Sequence, residues 1–72
     1  MSRPVEVSVV LPAYNEAETI EATVRTTLDS LSSFLHPGTF EVIVAEDGCD
    51  DRTPEIADRL AAEIPAVRPF HS

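Results

Sequence analysis

Apolar residues recur along this chain in two rhythms, one with a period of two and one with a period near 3.6. Val5 to Leu11 (Val5-Glu6-Val7-Ser8-Val9-Val10-Leu11) is a β-branched run that alternates at first and then becomes continuously apolar. That pattern predicts a strand buried on both faces, as in a parallel sheet. Pro12 has no N–H to give a ladder and should end the strand. Beyond it Ile20, Val24, Leu28, Leu31 and Phe34 or Leu35 are spaced by three or four, the stripe of an amphipathic helix. Asn15 reads as the N-cap of that helix, with Glu18 completing a capping-box pair. Glu16, Glu18 and Glu21 crowd its first turns, where the helix dipole favours anions. His36-Pro37-Gly38 closes it, because proline cannot continue a helix and glycine relaxes the turn.

Phe40 to Ala45 is a second β-rich run. Thr53 as N-cap and Pro54 as first helical residue open a second helix. Ile56, Leu60 and Ile64 form its apolar face with Ala57 and Ala61 beside them, and Glu55 is spaced to pair with Arg59. Pro65 stops this helix, and Ala66 to Phe70 begins a third strand. The order is β-α-β-α-β, with crossovers long enough for parallel pairing. The fold class is therefore α/β, a partial Rossmann-like unit with parallel strands: half of a doubly wound domain.

Composition narrows the partners. The 72 residues make at most one small domain, with 43% hydrophobic and 25% charged residues and no low-complexity tract. Thirteen acidic residues face five basic ones, all arginine, for a net charge of −8. Such a surface repels phosphate backbones, which argues against nucleic acid as a partner. A nucleotide is still compatible, since a divalent cation can bridge its phosphates to carboxylates. An acidic chain without lysine would also suit a high-salt cytoplasm. Cys49 is the single cysteine, so neither an intramolecular disulfide nor a cysteine-based zinc site can form within the chain. No apolar run approaches the ~20 residues of a membrane span, and the N-terminus lacks signal-peptide character. The expectation is a cytoplasmic chain.

Chemistry-bearing residues gather in two loops. The first strand runs into Pro12-Ala13-Tyr14-Asn15-Glu16 and the second into Glu46-Asp47-Gly48-Cys49-Asp50-Asp51. Parallel topology puts both at one sheet edge, where open α/β sheets bind ligands. Tyr14 offers a face on which a base can stack. Asp47 can accept hydrogen bonds from a base edge or ribose hydroxyl, and Gly48 lets a ligand approach the backbone. Taken singly, Glu16 is a first-turn helix carboxylate, Asp50 a solvated one, and Asp51 and Thr53 are turn or capping residues. His36 and His71 stand isolated. The Asp-x-Asp-x-Asp-Gly spacing of a calcium loop is absent, as is the Gly-x-Gly-x-x-Gly of a dinucleotide fold. A receiver-like phospho-acceptor domain would carry acids where this chain has Pro12 and Tyr14.

At these loops the chain resembles family 2 glycosyltransferases. Val7-Ser8-Val9-Val10-Leu11-Pro12-Ala13-Tyr14-Asn15-Glu16 is similar to their opening strand and Pro-Ala-Tyr-Asn-Glu turn. Val44-Ala45-Glu46-Asp47-Gly48-Cys49-Asp50-Asp51-Arg52-Thr53 resembles their second signature, usually Val-Asp-Asp-Gly-Ser-x-Asp-x-Thr. Glu46 stands in place of the usual first aspartate and Cys49 in place of the usual serine. The nearest likeness is to the dolichol-phosphate mannosyltransferase-like branch, which moves a sugar from a nucleotide donor to a polyprenyl phosphate.

The resemblance implies a GT-A fold and a nucleotide-sugar partner, GDP- or UDP-linked. It also implies a polyprenyl-phosphate or glycan acceptor for the parent enzyme, at the cytoplasmic face of a membrane. Carried over, Pro12, Tyr14 and Glu16 would surround base and ribose, Asp47 would bind the base, and Glu46 and Gly48 would complete the donor site. The family's divalent cation, magnesium or manganese, is held by a later Asp-x-Asp motif, so its ligands and the catalytic residues lie outside residues 1–72. The expectation is the N-terminal, donor-binding part of a glycosyltransferase, inactive alone. The alternative is a stand-alone, non-enzymatic nucleotide-binding or interaction module.

Overall fold

The computed structural model describes residues 5–47 and 51–71. Its elements follow the order β1 (Val7–Ala13), α1 (Ile20–Ser32), β2 (Phe40–Glu46), α2 (Thr53–Glu63) and β3 (Val67–His71). The three strands form one parallel sheet in the order β1-β2-β3. In register, Val9 stands beside Val42 and Val42 beside Val67, while Pro12 stands beside Ala45 and Ala45 beside Phe70.

Both helices pack on the same face of the sheet. One part of the core joins Ile20 and Val24 of α1 to Val44 of β2, Ala57 and Leu60 of α2, and Val67 of β3. A second part joins Leu31 to Phe40 and Val42. The central strand β2 alternates accordingly: Phe40, Val42, Val44 and Glu46 are buried, and Glu41, Ile43 and Ala45 are half-buried. Leu35, not Phe34, completes the stripe of α1; Phe34 is exposed. The α1–β2 turn is pinned by Thr39, which is buried and donates its hydroxyl to the His36 carbonyl at 2.7 Å. Gly38 there takes φ +87°, a left-handed conformation that glycine adopts at little cost.

Four local expectations are corrected by the tertiary arrangement. β1 runs through Pro12 to Ala13; in the described sheet β1 has a single strand neighbour, and an edge tolerates a residue without N–H. β1 is not buried on both faces, since Val10 is 56% exposed and the helices cover only one side. The first helix starts at Ile20, not after Asn15, whose φ of +49° turns the chain away from a helical path. Glu55 pairs with Arg52, while Arg59 turns to Glu63 and across to Glu21 of α1.

Candidate functional site

The carboxyl ends of β1 and β2 open into a cleft of about 540 Å³ lined by Pro12, Ala13, Tyr14, Glu16, Ala45 and Asp47. Its floor is apolar and its rim carries an aromatic ring and two carboxylates. The floor forms because Pro12 and Ala45 are register partners on the sheet face away from the helices. Tyr14 is 61% exposed, so its ring is presented to solvent and not spent on the core. Asp47 follows the last residue of β2 and is likewise exposed. Four of the six residues expected at a ligand site, Pro12, Tyr14, Glu16 and Asp47, are thus brought together from two loops.

Glu46 does not join them. Strand alternation turns its side chain to the helix side, where it is 6% exposed. Its Oε1 lies 2.6 Å from Nδ1 of His71, its register partner on β3. The other ring nitrogen, Nε2, lies 2.8 Å from Oδ1 of Asp58 on α2. Carboxylate oxygens only accept, so both ring nitrogens must carry protons to satisfy both contacts. The hydrogen bond to Asp58 and then that to Glu46 raise the imidazole pKa above its ordinary 6.5. The sequence alone left His71 isolated; the β2–β3 register is the signal that finds it. Gly48, the sixth expected residue, lies outside the described residues, as do Cys49 and Asp50.

Asp51 and Thr53 hold the two loops together. Thr53 is fully buried; its Oγ1 accepts from the Glu16 N–H at 2.9 Å and donates to Asp51 Oδ1. Asp51 Oδ2 accepts from the Ala17 N–H at 3.1 Å, and the Asp51 N–H donates to Asn15 Oδ1 at 3.2 Å. The Thr53 hydroxyl is the main cause holding the Asp51 carboxyl below its ordinary pKa. Thr53 does not cap its helix as expected: it is the first residue of α2, and Arg52 at the N-cap makes no side-chain cap bond. Asp51 does serve the helix start, its Oδ1 accepting the Thr53 N–H at 2.9 Å. Asn15, too, is a loop residue, its amide oxygen used across to Asp51.

Among the described residues no three His, Cys, Asp or Glu side chains converge on a point where a metal ion could sit. Glu16 and Asp47 are the carboxylates of the cleft, and no step through a metal is assigned to them.

The parallel β-α-β-α-β unit with a cleft at the carboxyl edge of its strands is a Rossmann-like arrangement, consistent with part of a GT-A fold. The model for glycosyl transferase family 2 matches residues 8–72, and the chain belongs to that family. It is 74% identical over 68 residues to glycosyltransferase AglD of Haloferax volcanii, covering 94% of this chain and 11% of AglD. It is 42% identical over 59 residues to the succinoglycan biosynthesis protein ExoA of Rhizobium meliloti, covering 82% of this chain and 17% of ExoA. It is 35% identical over 57 residues to undecaprenyl-phosphate 4-deoxy-4-formamido-L-arabinose transferase of Pectobacterium atrosepticum, covering 79% of this chain and 17% of that transferase. The chain therefore spans less than a fifth of the length of these relatives. No solved structure matches it.

Proposed function

We propose that the cleft receives the nucleoside end of a nucleotide-sugar. The observation that carries this reading is the convergence of Tyr14 and Asp47, from different loops, over the apolar floor of Pro12, Ala13 and Ala45. The ring supplies a stacking face for the base, worth about 1–3 kcal/mol where such stacking is made. Asp47 accepts from base N–H groups or ribose hydroxyls, and Glu16, which also lines the cleft, can serve the same chemistry. These residues bind and orient the donor. The acceptor of the parent enzyme is proposed to be a polyprenyl phosphate or a glycan, a reading supported by the undecaprenyl-phosphate transferase among the relatives. The family's magnesium or manganese ion would be held by ligands other than the residues described.

Titration calorimetry of the chain with GDP-mannose and with UDP-glucose, each with and without Mg²⁺ or Mn²⁺, tests the reading. Saturable binding of one nucleotide is expected, weakened about tenfold or more in Tyr14→Ala and Asp47→Ala. Folded wild-type protein that binds neither, or variants that bind as wild type does, would overturn it.

A further inference from the structure

We infer that Asp51 and Thr53 are positioning residues for the proposed nucleotide cleft: they fix the Tyr14–Glu16 loop in place relative to Asp47, although neither lines the cleft. The inference rests on the nucleotide reading for its functional consequence and on hydrogen bonds for its geometry. Tyr14 and Asp47 follow directly on the register partners Ala13 and Glu46, so the ladder sets where the two loops leave the sheet, and the path of the Tyr14–Glu16 loop beyond that point has to be held by other bonds. Three bonds tie the first loop to Asp51 and Thr53: the Thr53 and Asp51 side chains accept from the Glu16 N–H (Oγ1) and the Ala17 N–H (Oδ2), and the Asp51 main-chain N–H donates to Asn15 Oδ1. Asp51 and Thr53 are themselves locked, since Asp51 Oδ1 accepts both the Thr53 N–H at 2.9 Å and its hydroxyl. Asn15 is the described non-glycine residue with positive φ, and its side chain is one end of the brace.

Thr53 sits at the centre because it is fully buried, where water cannot replace a lost partner. A carboxylate and a hydroxyl two residues apart at a helix start can each turn outward to a neighbouring loop while binding one another. That explains both residue types and their spacing. Loosening the brace releases the first loop without removing any ligand contact, and a displacement of about 1 Å in a binding group is enough to weaken recognition.

The test uses Thr53→Val, Thr53→Ser and Asp51→Asn in the full chain, with Leu60→Ala as a control for general destabilisation. Amide hydrogen exchange is read at Glu16, Ala17, Val42 and Val44, and affinity for the nucleotide-sugar that the wild type binds is measured well below the unfolding temperature. Thr53→Val should speed exchange at Glu16 by about tenfold or more without matching acceleration at Val42 and Val44, and weaken nucleotide binding about fivefold or more. Thr53→Ser should restore both. If Thr53→Val does not fold, Asp51→Asn, altered at an exposed side chain, carries the same readings at Ala17. Folded variants that bind nucleotide as the wild type does, or whose exchange rises uniformly as in Leu60→Ala, overturn the positioning role. A wild type that binds neither nucleotide, with local exchange still released by Thr53→Val, supports the brace and removes the nucleotide reading instead.

Discussion

Removing the His71 imidazole should cost stability in a pH-dependent way. The ring links three elements, touching Glu46 of β2 and Asp58 of α2 from the end of β3. Hydrogen bonds to charged groups contribute about 1.5–3 kcal/mol when sheltered, and exposed ion pairs about 0.2–1 kcal/mol. The Glu46 arm falls between these, because its carboxylate is 6% exposed but the ring is 39% exposed. The Asp58 arm, with a carboxylate 61% exposed, lies at the bottom of the exposed range. His71→Ala should therefore cost about 1–2 kcal/mol at about pH 6. In a domain of this size that lowers Tm by roughly 4–16 °C.

The sign follows from linkage. The folded-state pKa of His71 is raised above 6.5, so its contribution is fully present below 6.5 and is lost as pH rises through the folded value. Urea melts of wild type and His71→Ala at about pH 6 and about pH 9 should thus differ strongly at the first and weakly at the second. Glu46→Asp should reproduce the loss, since shortening the side chain by about 1.5 Å breaks the 2.6 Å contact. Equal losses at both pH values, or an imidazole found by NMR to titrate at or below 6.5, would refute the reasoning.

Other consequences are measurable on the same protein. Leu60 is fully buried between the helices and the sheet, so Leu60→Ala should cost about 2–5 kcal/mol. Because 72 residues carry a total of only about 4–11 kcal/mol, circular dichroism should show that variant close to or past its unfolding midpoint at body temperature. Gly38→Ala meets no atom within 4 Å but keeps φ +87°; only backbone strain opposes it, so a loss of about 1–2 kcal/mol is expected by urea titration. With a net charge of −8, raising NaCl from about 0.1 M to about 1 M should raise Tm by screening self-repulsion; a falling Tm would show that the Glu21–Arg59 and Glu63–Arg25 pairs between the helices outweigh it.

Sequence by itself determined the order of the five elements, both helix stripes and the two loops of the cleft. These depend on the period of the apolar positions and on proline and glycine as stops, which are local properties of the chain. It also carried the family, through two signatures whose spacing survives even where Glu46 and Cys49 depart from the usual residues. What it did not determine were the jobs of side chains whose partners are distant. Asn15 and Thr53 read as helix caps because capping is the commonest local use of those residue types; in the fold their oxygens are spent across the loops, 36 and 37 residues away. The family signature put Glu46 among the ligand groups beside Asp47, yet in a strand adjacent side chains point to opposite faces. Only the pairing of β2 with β3 decided that Glu46 belongs to His71 and leaves Asp47 facing the cleft, because register is fixed by burial of the whole strand and not by any one residue.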